Sequence, residues 1–339
     1  MTRSWTLRIG GRLAAAGVAV IGVTALGAAC GGRPSEPAAS GGAPATPAAP
    51  PASTAAPAAE ATSLLGLPLV APEPSADARA TMEARLAEAR AAWEAAPDDA
   101  DALIWYGRRT AYLGRYRDAI GIFTDGIRRH PDDARMYRHR GHRYLTVREI
   151  DHAIADFEHA VALIDGQPDQ VEPDGQPNAR NIPTSTLHSN VWYHLGLARY
   201  VKRDFAGAAD AWARARAAVD NADNLVAASH WLYLSRRRAG ASEAELADVL
   251  DRIRPDLDVI ENGSYYSLLL MYKGERTPDA VLAAAGPGAS GSSARYGVGA
   301  WYFLNGREDE ARALWRAMVA QPDWPSFGVL AAEAETRGP

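Results

Sequence analysis

Histidine is the residue type whose spacing first indicates chemistry in this sequence. Five of the eight histidines fall between His130 and His159. Within that stretch, His152, Asp156 and His159 are spaced four and three residues apart, so on a helix they share one face. Two imidazoles and a carboxylate can hold a zinc ion and leave one coordination position open. The pattern therefore raises a metal-dependent hydrolase as one hypothesis.

The surrounding residues argue against that hypothesis. Ala153, Phe157 and Ala160 form an apolar stripe on the same stretch, so the polar residues between them are expected to point to water. The sequence contains no H-E-x-x-H or Cys-x-x-Cys zinc motif, and no nucleophile elbow or phosphate-binding loop. We therefore expect no metal, no cofactor and no catalytic residues, and a protein that is not an enzyme.

Arginines surround another pair of histidines. His139 and His142 lie among Arg138, Arg140 and Arg143, whose positive charge opposes a bound cation. The same guanidinium groups suit an anionic partner, because they bind carboxylates through paired hydrogen bonds. The alternative is a basic helix face that is merely solvated.

The one cysteine, Cys30, follows a segment with the layout of an export signal. Residues 1–12 carry three arginines, and an apolar run extends from Leu13 to Ala29. The run ends Leu-Gly-Ala-Ala-Cys, which resembles the lipidation box of bacterial lipoproteins, although Leu26 stands four residues before the cysteine instead of the usual three. This resemblance implies a signal peptide over residues 1–29 and a lipid-anchored Cys30. The alternative is an ordinary secretory signal cleaved near Ala29.

Residues 30–71 are predicted to be a disordered linker behind that anchor. From Gly31 to about Thr62 the composition is almost wholly Ala, Pro, Gly, Ser and Thr, which offers no apolar face to bury. We expect the chain to be exported across the inner membrane and held in the cell envelope, facing the periplasm or the cell surface.

The charge of the chain limits its partners. The formal net charge is −5, and without the three arginines of residues 1–29 it is −8, from 33 basic and 41 acidic residues. Nucleic-acid binders usually carry a basic surplus, so we expect no nucleic acid as partner.

A repeat of helical hairpins is expected to position the candidate residues. Four segments share one spacing, in which a Gly is followed after twelve residues by an Ala and after four more by a large aromatic residue. We interpret the Gly as a point of close helix approach, the Ala as the small residue opposite it and the aromatic residue as the largest buried side chain. The four sets are Gly107, Ala119 and Phe123; Gly141, Ala153 and Phe157; Gly196, Ala208 and Trp212; and Gly299, Ala311 and Trp315.

This spacing resembles the tetratricopeptide repeat, a 34-residue pattern W-x2-L-G-x2-Y, then A-x3-F, then P. The third copy has Trp192, Leu195 and Gly196 in register, and the first copy ends at Pro131. Pro97 lies 34 residues before Pro131, which indicates a partial leading repeat over residues 75–96. The resemblance implies an all-α fold, a right-handed α-solenoid of antiparallel helix hairpins over residues 72–339.

The intervals between the glycines predict how many hairpins there are. The 55 residues from Gly141 to Gly196 contain one repeat and an insertion, residues 165–186. The 103 residues from Gly196 to Gly299 contain two degenerate hairpins, over 223–253 and 263–285, and a flexible loop over 286–293. We therefore predict about six repeats, closed by a capping helix over residues 325–335.

The resemblance also implies where a partner binds, because the first helix of each such hairpin lines a concave groove. The positions that face the ligand in the family correspond here to Arg108, Tyr112, Arg135, Arg138, His142, Asn190, Tyr193 and Tyr200. An Arg-rich and aromatic groove suits a protein or peptide partner that carries carboxylates.

The leading hypothesis is therefore a protein-protein interaction scaffold of the cell envelope. A second hypothesis is a lipoprotein that binds a small ligand or glycan, using the insertion and the aromatic side chains of Tyr193, Tyr265, Tyr266 and Trp301. An enclosed aromatic pocket favours the second hypothesis, and an open groove favours the first.

Overall fold

The structure is a computed structural model that describes residues 58–337. The expected signal peptide and Cys30 lie outside the described residues. The elements are β1 (Ala61–Thr62), β2 (Pro68–Leu69), α1 (Ala76–Ala95), α2 (Ala100–Tyr112), α3 (Tyr116–Arg129), α4 (Ala134–Thr146), α5 (Ile150–Ile164), α6 (Leu187–Val201), α7 (Phe205–Ala218), α8 (Ala222–Arg238), α9 (Glu243–Asp251), α10 (Gly263–Tyr272), α11 (Pro278–Ala284), α12 (Gly288–Leu304), α13 (Glu308–Val319) and α14 (Phe327–Thr336).

Consecutive helices pack as antiparallel pairs along the described part of the chain. The pairs α2 with α3, α4 with α5, α6 with α7, α8 with α9, α10 with α11 and α12 with α13 form six hairpins, preceded by α1. The two degenerate hairpins inferred from the glycine intervals are α8–α9 and α10–α11. The prediction of an all-α solenoid of helix hairpins is confirmed.

The repeated glycines make room for the repeated aromatic rings. A Cβ on Gly107 would lie 2.5 Å from the Phe123 ring, one on Gly141 2.8 Å from Phe157, and one on Gly196 2.6 Å from Trp212. The repeated alanines are fully buried beside these rings. The nearest neighbour of each of these glycines is therefore the aromatic ring of the same hairpin.

Aromatic rings also connect one hairpin to the next. Trp212 of α7 stacks on Trp231 of α8 with 5.7 Å between the ring centroids, and Trp231 stacks on Tyr296 of α12 at 5.4 Å. Tyr296 in turn lies 6.1 Å from Trp315 of α13. This ladder of large buried rings joins the third hairpin to the last, so the core is continuous across the degenerate repeats.

Two boundaries differ from those predicted. Residues 286–293 were expected to be a flexible loop, but α12 begins at Gly288, and Gly291 to Ala294 are buried. Small residues permit this, because a Cβ on Gly328 of α14 would lie 2.5 Å from the Ser292 carbonyl oxygen. The composition of residues 286–293 predicts a loop, but residues 288–293 form the first turns of a tightly packed helix.

The linker prediction is wrong for residues 58–71. β1 pairs antiparallel with β2, Ala61 opposite Leu69, and Ala61 is buried. The Leu64 amide donates to Glu333 Oε2 at 3.0 Å, and Trp324 Nε1 donates to the Val70 carbonyl at 2.6 Å. Residues 58–71 are therefore part of the folded unit, held by the C-terminal region.

The last helix does more than cap the final hairpin. α14 packs against α12 and α13, and it also contacts α6 of the third hairpin. Its Glu333 forms a buried ion pair with Arg148, which follows α4, with Arg148 Nη2 2.5 Å from Glu333 Oε1. Glu335 pairs with the partly buried Arg238 and with the exposed Arg203. α14 thus returns to the second, third and fourth hairpins.

Among residues 58–337, no helix is both long enough and apolar enough to cross a lipid bilayer.

Candidate functional site

Capping residues fix the register of the helices that carry the predicted groove. The Asp99 side chain accepts the amides of Asp101 and Ala102 at the start of α2, and Asp133 accepts the Arg135 amide at the start of α4. Thr186 and Ser189 form a reciprocal capping box at the start of α6. The first helices of three hairpins are thereby held in fixed rotational positions, and so are their groove side chains.

Six of the eight predicted groove residues line one cavity of about 480 Å³. The cavity is bounded by α2, α4 and α6, by α8 and α10, by residues 172–176 of the insertion and by Phe327 of α14. The six residues are Arg108, Tyr112, Arg138, His142, Asn190 and Tyr193.

The other two predicted groove residues lie elsewhere. Arg135 turns to the start of its own helix, where Nη2 lies 2.6 Å from Asp133 and Nη1 lies 2.5 Å from Asp101. Tyr200 is 3% exposed, and its hydroxyl accepts a hydrogen bond from Tyr296 at 2.8 Å. The prediction for Tyr200 is therefore wrong, because α12 and α14 cover this end of the expected groove.

Arg138 lies between two neutral histidines, of which His142 lines the cavity with it. Nη1 of Arg138 faces Nδ1 of His139 at 3.1 Å and Nδ1 of His142 at 3.4 Å. Since a guanidinium only donates, both Nδ1 atoms accept, which places the imidazole protons on Nε2. Burial, together with the neighbouring arginine charges, holds the pKa of both histidines well below the usual value. Both rings are thus neutral hydrogen-bonding groups near pH 7.

A cluster of three arginines makes this wall of the cavity electropositive. Arg108 and Arg138 line the cavity, and both lie close enough to the buried Arg143 to add repulsion to the burial that lowers its pKa. Arg143 makes no hydrogen bond or ion pair through its guanidinium within residues 58–337, and lies 5.8 Å from the Tyr116 ring centroid. Burial is the main cause that lowers the Arg143 pKa to about 10. An incompletely neutralised cluster of this kind favours an anion.

The insertion supplies the anion that this wall holds in the structure. Glu172 lies 3.0 Å from Arg138 Nη2 and accepts a hydrogen bond from Asn190 Nδ2 at 3.1 Å. Arg108 donates to the Pro173 carbonyl at 2.9 Å, and Arg109 donates to the Gly175 carbonyl at 2.9 Å. Side chains of three hairpins therefore grip one extended stretch of the chain, through a carboxylate and two backbone carbonyls.

The opposite wall is aromatic and acidic. The Tyr193 hydroxyl donates to the Tyr265 hydroxyl at 3.1 Å and accepts from Trp231 Nε1 at 3.0 Å. Burial and the nearby Glu261 raise the pKa of Asp174, whose Oδ2 has no hydrogen-bond partner within the described residues. The aromatic wall is therefore ordered by hydroxyl bonds, and the insertion keeps one acceptor free.

Two of the four aromatic residues expected for a small-ligand pocket do not line this cavity. Tyr193 and Tyr265 line it. The Tyr266 hydroxyl instead donates to the Arg254 carbonyl at 2.6 Å, and Trp301 stacks on Tyr272 at 5.5 Å. The second hypothesis therefore rests on a smaller aromatic surface than expected.

Several residues that shape the site were missed. Phe327 of α14 packs 5.4 Å from the ring centroids of both His142 and His194, and so closes one end of the cavity. Arg148 anchors α14 through Glu333, and its backbone has a φ of +67°. The first and last clear repeats carry Gly114 and Gly306 at the corresponding turn. The sequence signal for this role was Arg148 itself, which stands where the first and last clear repeats have Gly.

The histidine face does not form a metal site. Asp156 is buried and accepts two hydrogen bonds from Arg140, at 2.8 Å and 2.6 Å, so the expectation that it points to water is wrong. His152 bonds to Glu149, and His159 packs on Tyr137. Within residues 58–337 no group of three His, Cys, Asp or Glu side chains is arranged to hold a metal ion.

Comparisons with known proteins concern the fold. No protein-family model matches the sequence, and the search of curated proteins returns no match. Among solved structures, YrrB, described as a TPR protein with an unusual peptide-binding site, is 15% identical, with a TM-score of 0.39 over 73% of this chain and 97% of its own.

A tetratricopeptide repeat protein from Parabacteroides merdae is 13% identical, with a TM-score of 0.42 over 71% of this chain and 87% of its own. The P58(IPK) TPR domain is 14% identical, with a TM-score of 0.27 over 75% and 93%. All three are tetratricopeptide repeat proteins. The helix pairs and glycine–aromatic contacts of this chain form an all-α solenoid of helix hairpins.

Proposed function

We propose that this protein is an interaction scaffold that holds an acidic, extended segment of a partner protein in the groove formed by α2, α4 and α6. The observation that carries the proposal is the grip of Arg108, Arg138 and Asn190 on a carboxylate and a backbone carbonyl. Such contacts recognise an extended backbone and one acidic side chain, and they need no folded ligand.

The proposal includes a place in the cell. Residues 1–29 carry the charged start and apolar run of an export signal, and Cys30 stands at the end of that run. We infer that the mature chain is attached to a membrane of the bacterial envelope by a lipid on Cys30. A linker rich in Pro and Ala then lets the helical hairpins reach partners away from the membrane surface.

Affinity capture from crosslinked native envelopes tests the scaffold. The wild-type chain is compared with Arg108→Ala, which removes one donor from the groove, and with Arg312→Ala, which removes an exposed arginine paired with Glu308 on α13. We expect one protein to be enriched with the wild type and with Arg312→Ala, and to be lost with Arg108→Ala. Equal capture by all three chains rules out the groove, and no enriched protein rules out the scaffold.

Metabolic labelling with a fatty acid tests the anchor. We expect label on the wild-type chain and none on Cys30→Ser, which also moves to the soluble fraction. A wild-type chain that carries no label after export contradicts the lipid anchor and favours an ordinary secretory signal.

A second function is favoured by the cavity itself. Its volume of about 480 Å³ lies in the range of small-ligand sites. Tyr193, Tyr265 and Phe327 provide apolar contact, while Asn190 and Asn224 provide polar groups. Native mass spectrometry of the purified chain tests this candidate. A bound small molecule that is lost in Tyr193→Ala supports it, and a mass equal to that of the bare chain contradicts it.

A further inference from the structure

The stretch from Gln170 to Gln176, here called the internal segment, lies across the first helices of three hairpins. It begins as a strand-like pairing with the residues before α6, in which Val171 bridges Thr186. The Glu172 amide donates to the Ser185 carbonyl at 3.2 Å, and the Leu187 amide donates to the Gln170 carbonyl at 2.9 Å. The internal segment is thereby extended before it crosses α4 and α2.

The contacts of the internal segment are those of a bound peptide. The side chain of Glu172 is 11% exposed and that of Arg138 8% exposed, so their ion pair is largely shielded from water. The next contacts, to Arg108 and Arg109, are made by backbone carbonyls of the segment. They therefore do not depend on which side chains the segment carries. The Glu172 carboxylate therefore provides specificity for an acidic residue, and the backbone contacts fix the path of the segment across the helices.

A glycine marks the place where the internal segment passes closest to the groove. Gly175 is buried, and a Cβ at this position would overlap the Tyr112 hydroxyl. Tyr112 is one of the groove residues predicted from the repeat, so the internal segment fits a shape that the helices present.

We propose that the internal segment is an intramolecular ligand, held where the partner binds, and that the partner is an extended peptide that displaces it. This inference rests on the proposed scaffold function. The displacing peptide has a Glu or Asp at the place of Glu172, a free extended backbone beyond it and a Gly at the place of Gly175. Its carboxylate takes over the contacts with Arg138 and Asn190.

The covalent connection of the internal segment sets the threshold for displacement. A ligand tethered by a short linker competes at an effective concentration of about a millimolar, so a partner of moderate affinity binds only weakly while the segment is docked. The parts of the segment that face water permit exchange, since the Val171 side chain is 60% exposed. The insertion thus restricts binding to partners whose affinity for the groove exceeds that of the docked internal segment.

Binding of a synthetic peptide in trans tests the proposal. The probe is a fluorescent peptide with the sequence of residues 168–178, titrated by anisotropy. The first protein is the full wild-type chain. In the second, residues 170–176 are replaced by a Gly/Ser stretch of equal length, which vacates the groove by design. The third is Gly175→Ala, which expels the segment while keeping its charges. Asp165→Asn serves as the control, because Asp165 lies in the insertion, at the end of α5, and does not line the cavity.

We expect the probe to bind the Gly/Ser chain and Gly175→Ala at least about tenfold more tightly than the wild type or Asp165→Asn. A probe with Gln at the place of Glu172 is expected to lose most of that gain. Circular dichroism verifies that each chain is folded. Hydrogen exchange at the Leu187 amide, which donates to the Gln170 carbonyl, reports whether the segment has left in Gly175→Ala.

Two results overturn the proposal. One is a folded Gly/Ser chain that binds the probe no better than the wild type. The other is equal binding of the Glu and Gln probes. The test is independent of envelope capture, because it uses only the purified chain. If the probe binds as expected but envelope capture enriches no protein, the intramolecular ligand is supported and the scaffold function is refuted.

Discussion

Glu333 offers a sharp test of how the C-terminal helix is held. Its carboxylate receives Arg148 Nε at 3.1 Å and Nη2 at 2.5 Å, and it also accepts the Leu64 amide at 3.0 Å. Only 2% of the Glu333 side chain and 3% of the Arg148 side chain are exposed. Glu333→Gln keeps the shape of the side chain and removes the charge, so it leaves a buried guanidinium without its counter-ion.

The expected loss is large for one atom exchanged. Removing one partner of a buried ion pair costs about 3–5 kcal/mol of unfolding free energy, and we expect the lower end because Gln still accepts one hydrogen bond. Arg148→Gly loses the same pair, but it relieves a left-handed backbone conformation that costs a non-glycine residue roughly 1–2 kcal/mol. The double variant contains neither charge, so its loss should be smaller than the sum by at least about 2 kcal/mol.

Urea unfolding followed by tryptophan fluorescence measures these differences. Glu308→Gln is the matched control, since Glu308 pairs with Arg312 on the exposed face of α13, where a pair contributes about 0.5 kcal/mol or less. A loss below about 1 kcal/mol in Glu333→Gln, or strict additivity in the double variant, refutes the reasoning that burial makes this pair decisive.

Two other predictions follow from the packing and from the buried histidines. Gly196→Ala should destabilise the chain by about 1–3 kcal/mol, because its Cβ would press on the Trp212 ring. Gly121→Ala in α3, where the Cβ meets nothing, should stabilise the chain by up to about 1 kcal/mol. Equal melting temperatures of the two variants contradict this prediction. Burial lowers the pKa of His230 to about 3, so between about pH 6.5 and pH 3 only the unfolded state takes up the proton, and stability falls as the pH falls. His230→Asn should therefore lose about 2 kcal/mol less than the wild type between pH 6.5 and pH 5 in urea unfolding, and an identical loss contradicts the assignment.

The helices and their pairing could be predicted because the signal is local. Each hairpin brings Gly196 and Trp212, or their counterparts, into contact within a few tens of residues, so a fixed spacing in the sequence encodes a contact. The same regularity gives the count of hairpins even where the motif is lost, since α8 to α11 occupy the space of two repeats.

The contacts of the C-terminal helix could not be predicted in this way. Arg148 and Glu333 are 185 residues apart, and no repeat relates them. A prediction from hydrophobic pattern treats α14 as an apolar cap, and its two buried acids, Glu333 and Glu335, look like ordinary surface residues on such a pattern. The prediction for Asp156 was wrong for a different reason. Arg140 reaches it from the neighbouring helix of the same hairpin, and a hydrophobic pattern takes no account of such an ion pair.

The groove prediction is wrong at Tyr200, where this long-range closure applies, whereas Arg135 leaves the cavity for a local reason, its pairing with Asp133 and Asp101. The family's groove positions predicted both Tyr112 and Tyr200 to face a partner. Tyr200 is instead covered by α12 and α14, while Tyr112 faces the internal segment. α14 therefore leaves the groove of the first three hairpins as the accessible face, and the insertion emerges between the second and third of these. A chain that closes one end of its groove and docks its own acidic segment along the other favours a partner that replaces that segment.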